Sequence, residues 1–120
     1  MATAEQIAQS TKHQTVNEFL RRALGELGIV QLNMLIEIFK QDGVTQYELG
    51  ERLNYKQGTV SKNARRFALV EVTDHKTGEV RKEGMNVITL RPDPVEYRRL
   101  ACHLTDYGKS LRNTYFSLIA

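Results

Sequence analysis

The chain has 120 residues, with 17 Lys and Arg against 14 Asp and Glu, and a formal net charge of +3. That length suits one domain with one core, and 41% hydrophobic with 26% charged residues is a globular rather than a disordered composition. Its single cysteine, Cys102, excludes an intrachain disulfide and fits a reducing, cytoplasmic compartment. No apolar run of about 18 residues is present to span a membrane, and Met1 to Ser10 lack the pattern of a secretory signal.

Residues 1–14 are polar and without apolar period, which predicts a flexible N-terminal arm before a domain over 15–120. Thr15-Val16-Asn17-Glu18 has the form of a capping box. Val16, Phe19, Leu20, Ala23, Leu24 and Leu27 then follow at helical spacing, and Gly28 ends the first predicted helix. Leu32, Leu35, Ile36 and Phe39 predict a second helix over about 30–41, broken by Asp42-Gly43. Thr45-Gln46-Tyr47-Glu48 is another capping box, opening a third helix that runs to about Leu53. After the turn Asn54-Tyr55-Lys56, a fourth helix is predicted over roughly 57–69, with Val60, Ala64 and Phe67 facing inward.

The period then changes. Val70 to Thr73 alternates as a strand does, and 70–84 reads as a hairpin or a loop with strand character. Val87 to Leu90 predicts a strand stopped by Arg91-Pro92-Asp93-Pro94, because proline removes ladder donors. Leu100 to Leu104 predicts the return strand, whose alternation would turn Leu100, Cys102 and Leu104 inward. Thr105-Asp106 caps a last helix over about 106–119, with Tyr107, Leu111, Tyr115 and Leu118 on one stripe. Four helices, a hairpin wing at about 86–105 and a closing helix make a mainly α chain with a small β-hairpin. This α+β order is that of a winged helix-turn-helix.

Residues 45–67 meet the demands of a helix-turn-helix. Gly50 supplies a small residue where two helices cross, Leu49, Leu53, Val60 and Phe67 supply the core, and Asn54 tolerates a left-handed turn. The outward face of the fourth helix shows Gln57, Thr59, Ser61, Lys62, Asn63, Arg65 and Arg66, and no acid. Gln and Asn can pair with adenine, Lys and Arg with guanine or phosphate. A merely solvated face usually mixes signs. A second basic element surrounds the wing tip, where Arg91, Arg98 and Arg99 flank Pro-Asp-Pro and could meet phosphate or a narrow minor groove. Glu96 is placed to pair with Arg98.

Thr45 to Phe67, with T-Q-Y-E-L-G-E-R-L followed by T-V-S-K, resembles the helix-turn-helix of the MarR family. So does the stretch from Asp93-Pro94 through Glu96-x-Arg98-Arg99 to Leu104-Thr105-x-x-Gly108-Lys109. The extra residues 70–84 resemble a subgroup often met in phage and prophage proteins. The resemblance covers roughly 30–119. It implies cytoplasmic homodimers that bind double-stranded, pseudo-palindromic DNA, with Gln57, Thr59, Ser61, Lys62 and Arg65 in the reading stretch and Arg98 at the wing tip. The sequence departs from the family at Lys56, where a serine cap is common, at Gly58, a usual polar contact, and at Tyr97, where many members carry arginine. The closing helix ends at Ala120, so the family's usual terminal dimerisation helix is expected to be truncated or absent. Dimerisation would then rest on Phe19, Leu20, Tyr115, Phe116, Leu118 and Ile119. Members of the family often bind small effectors, but nothing in these residues indicates one.

His13, His75 and His103 are scattered and, with one cysteine, make no metal spacing. Cys102 reads as a small buried hydrophobe rather than a redox sensor. There is no phosphate loop and no nucleophile motif, so no catalytic residue, metal or cofactor is assigned and an enzyme is not expected. The expected function is a dimeric, sequence-specific transcriptional repressor. Two alternatives use the same scaffold: an interaction module for a polymerase or host regulator, and a replication or partition protein of a phage or plasmid.

Overall fold

A computed structural model describes all residues, 1–120. The first helix, α1, spans Ala4–Leu24 and begins well before the Thr15 start read from the sequence. Its cap is Thr3, whose hydroxyl accepts from the Gln6 amide at 3.1 Å while the Gln6 side chain accepts from the Thr3 amide at 2.9 Å. Thr15 caps nothing; its hydroxyl donates back to the Thr11 carbonyl at 3.0 Å. The early turns carry no sequence signal for a physical reason. Every residue up to Thr15 is exposed, so no apolar stripe marks them, although Ala, Glu and Gln favour a helix. The helix ends at Gly25, at φ +80°, rather than at Gly28. Gly28 instead precedes α2, which spans Ile29–Lys40.

Helix α2 is the centre of the core. Met34, Leu35, Ile38 and Phe39 are buried, whereas Leu32 and Ile36 are only half-buried, so the buried face is turned from the predicted stripe. A two-residue strand, β1 (Val44–Thr45), leads into α3 (Gln46–Leu53). The Thr45 hydroxyl accepts from the Glu48 amide at 3.1 Å, so the expected cap forms, but the box does not close: the Glu48 carboxylate accepts from the Thr45 hydroxyl at 3.0 Å and not from its backbone amide. Then come α4 (Gln57–Phe67), ending two residues early because Ala68 bridges to Ile88, and an independent hairpin of β2 (Val70–Thr73) and β3 (Val80–Glu83).

The remaining strands, β4 (Ile88–Pro92) and β5 (Leu100–Leu104), form the wing, and α5 (Asp106–Ile119) closes the chain. The wing joins β1 in an antiparallel sheet of order β1-β5-β4, with Val44 opposite Cys102 and Leu90 opposite Cys102 on the other side. Because β5 is central and also touches α2, α3 and α5, both Ala101 and Cys102 are buried, and strict alternation fails. Leu100, expected inside, is 37% exposed. Burial pushes the Cys102 thiol up to about 12.

The Leu104-Thr105-x-x-Gly108 segment locks the wing to α5. The Thr105 hydroxyl donates to the Asn86 carbonyl at 2.7 Å and accepts from the Gly108 amide at 3.0 Å. A Cβ at Gly108 would collide with the Val87 carbonyl. Helix α5 packs along α1, with the Tyr115 ring 5.3 Å from Phe39 and 5.5 Å from Phe116. Leu111 and Tyr115 are buried; Tyr107, predicted on their stripe, is exposed and donates its hydroxyl to the Ala23 carbonyl.

Candidate nucleic-acid interface

The turn between α3 and α4 is set by two residues. Asn54 adopts φ 57° and ψ 44°, the left-handed conformation that asparagine tolerates, and its amide donates to the Gly50 carbonyl. Gly50 lets the helices meet. A Cβ there would fall on the Gln57 side chain and lie 3.0 Å from the Tyr55 carbonyl. Leu49, Val60, Ala64 and Phe67 are fully buried, while Leu53, expected with them, is half-buried. Asn33 donates to the Tyr55 hydroxyl at 3.1 Å and ties the turn to α2. The helix pair is therefore held from three sides.

That packing sends the other face of α4 outward. Gln57, Lys62, Arg65 and Arg66 are exposed, and Thr59, Ser61 and Asn63 are half-buried. Lys56 precedes α4 without a side-chain cap, so the first amides of the helix remain open. Asn63 donates to the Thr59 carbonyl at 2.9 Å, and Gln57 makes a long 3.4 Å contact to the Tyr47 carbonyl. Lys62, Arg65 and Arg66 have no acidic partner; the ion pairs of the chain join other residues, such as Arg52 with Glu48 and Arg81 with Glu83. An unpaired cation keeps its full field for an incoming anion.

The wing tip is tied by its backbone. Asp93 accepts from the Glu96 amide at 2.9 Å through its carboxylate, and its own amide donates to the Arg99 carbonyl at 2.8 Å. The Arg99 amide donates to the Glu96 carbonyl. Arg91 and Arg98 are exposed and unpaired, and the expected Glu96–Arg98 pair does not form. Arg99 differs: its guanidinium carbon lies 3.7 Å from the centre of the Tyr47 ring. Nothing in the sequence pattern points to Tyr47. Val95 and Tyr97, 95% and 75% exposed, project from the same tip.

The residues expected at a dimer interface are divided. Phe116 and Ile119 are exposed and Phe19 and Leu118 half-buried, along the α1–α5 face. Leu20 and Tyr115 are corrected: both are buried in the core of the single chain and leave no surface for a partner. No three His, Cys, Asp or Glu side chains gather as metal ligands, and no helix is long and apolar enough to cross a membrane.

The sequence matches no protein-family model, and no curated protein is similar to it in sequence. Solved structures are similar in fold. The MepR–DNA complex of S. aureus shares 18% identity and a TM-score of 0.65 over 93% of this chain and 78% of that one. A mutant MarR from E. coli shares 17% identity and a TM-score of 0.57 over 99% and 77%. Reduced AbfR bound to DNA shares 17% identity and a TM-score of 0.57 over 97% and 77%. The chain thus has the MarR-like winged helix-turn-helix fold over nearly its whole length.

Proposed function

We propose that this protein is a sequence-specific, double-stranded-DNA-binding transcriptional regulator that acts in the cytoplasm as a homodimer. The observation that carries the reading is the acid-free outward face of α4, presented by a tight helix-turn-helix beside a wing with free arginines. In this reading α4 lies in the major groove. Gln57, Thr59, Ser61, Lys62 and Arg65 meet base edges or phosphate, and Arg66 meets the backbone. Arg91 and Arg98 reach the flanking phosphates or minor groove. Two of the fold neighbours, MepR and AbfR, were solved on DNA, which supports a DNA-binding reading here.

The exposed and half-buried apolar residues along α1 and α5 supply the dimer surface: Phe19, Phe116, Leu118 and Ile119, joined by Ile7. A dimer sets two α4 helices on half-sites about one helical turn, or roughly 34 Å, apart. Occupancy of a promoter then represses it. The inserted β2–β3 hairpin favours the phage-type subgroup. The test is titration of labelled genomic fragments with the protein, followed by anisotropy, with its mass in solution measured alongside. Saturable binding that survives excess unrelated DNA, by a protein of twice the chain mass, is expected. Binding that unrelated DNA abolishes would overturn specific readout.

A further inference from the structure

The wing and the recognition helix are separate elements, yet one surface contact joins them through α3. Strand β1 pairs with β5, Thr45 opposite Ala101, and this register carries the first turn of α3 alongside the base of the wing. There the Arg99 guanidinium lies over the Tyr47 ring at 3.7 Å. The backbone of Arg99 closes the tip loop through Asp93 and Glu96, so its position and that of the neighbouring Arg98 are fixed together. On the other side, the Tyr47 carbonyl receives the Gln57 side-chain amide from the first residue of α4. Arg99, Tyr47 and Gln57 thus form a line from wing to recognition helix.

We propose that the Arg99–Tyr47 stack is a specificity-determining positioning contact. It fixes where Arg98 falls on DNA relative to the bases read by α4. Arg99 then serves as a positioning residue and not as a phosphate ligand. A cation over a tyrosine face is attracted by the ring quadrupole, and the guanidinium plane suits such stacking better than an ammonium does. With the stack lost, the wing keeps its fold, because β4, β5 and the tip hydrogen bonds remain. What it loses is a fixed angle to α4, and with it the preference for particular bases in the flank. The inference rests on the DNA-binding reading above.

The experiment measures binding of the full chain to its selected operator and to the same operator with altered flanks, as a function of salt. The proteins are wild type, Tyr47→Phe, Tyr47→Ala, Arg99→Ala and the double variant, each checked by thermal melt. Tyr47→Ala and Arg99→Ala are expected each to weaken operator binding by about two- to fivefold, the scale of one exposed cation–ring contact. Discrimination between flanks should fall while discrimination at the bases under α4 holds. Tyr47→Phe should keep both. The double variant should be no weaker than either single variant, and the salt slope should be unchanged in all. Additive losses, or a smaller salt slope in Arg99→Ala alone, would show Arg99 on phosphate and overturn the proposal while leaving DNA binding intact. A wild-type chain without base preference under α4 would overturn the DNA reading itself, and the positioning role with it.

Discussion

The chain's three helical glycines, Gly50, Gly58 and Gly108, give a test of how tightly their helices are packed. Alanine in place of glycine favours a helix interior by about 1 kcal/mol, and by less in a first turn. The surroundings decide what remains of that gain. Gly58 has nothing within 4 Å of a new Cβ, so Gly58→Ala should stabilise by about 0.5 kcal/mol. At Gly50 the new methyl group falls on the Gln57 side chain, whose amide end can swing away, and lies 3.0 Å from the Tyr55 carbonyl. Overpacking typically costs about 1–3 kcal/mol, and the movable Gln57 amide places this site at the low end of it, about 1–2 kcal/mol, so after the helix gain Gly50→Ala should end near zero to about 1 kcal/mol less stable.

Gly108 leaves no such escape. Its Cβ would meet the Val87 carbonyl, which is held by the Thr105 amide at 3.0 Å. We expect Gly108→Ala to cost about 2 kcal/mol or more after the helix gain, since backbone must shift. For a chain of this size that lowers Tm by roughly 6–10 °C. Thermal melts by circular dichroism, on DNA-free protein at one pH, should rank Gly58→Ala above wild type, then Gly50→Ala, then Gly108→Ala. Gly108→Ala melting at or above wild type would refute the close approach of α5 to the wing.

Further expectations concern charge and the core. Lys62→Ala and Arg65→Ala should leave stability within about half a kcal/mol of wild type, as exposed unpaired residues, yet cost about 1–3 kcal/mol of binding at one base position each. If Arg66, Arg91 and Arg98 all meet phosphate in a dimer, about six phosphates are neutralised, so log K should fall against log salt with a slope of roughly −5. Arg66→Ala should make that slope shallower by about 2. Cys102, raised to about 12, should resist a thiol reagent at neutral pH until the protein is unfolded. Its raised value also fixes a sign: the neutral thiol is the form favoured by folding. Its contribution is complete below the unfolded thiol value of about 8.5 and declines as pH rises toward about 12. Denaturant titrations across that range should show the midpoint falling, and a rising midpoint would contradict it.

Much of the helix-turn-helix is legible in the sequence because its signals are local. Leu49, Val60, Ala64 and Phe67 sit at helical spacing, and all are fully buried. Asn54 and Gly50 announce the turn and the crossing, and both serve those roles. Where the sequence misleads, the missing information is tertiary. The first turns of α1 carry no buried residue, so no period betrays them. Strand β1 is two residues long, too short to alternate, and exists because β5 is there to pair with it. Alternation puts Leu100 inside, but the crowded middle of a three-stranded sheet does not obey it. Among the wing arginines, Arg98 and Arg99 are neighbours of the same type; only the approach of Tyr47 from another element separates their roles. Leu20 and Tyr115 show the same limit, because an apolar residue at helical spacing does not disclose whether its own chain or a partner covers it.

In the proposed reading, α4 reads bases in the major groove from a two-fold dimer. The decisive experiment incubates the intact protein with randomised duplexes, recovers the bound fraction and sequences it. An inverted repeat whose half-sites are centred about 10–10.5 base pairs apart, or a multiple of that, is expected. Recovered duplexes with no shared motif would contradict it.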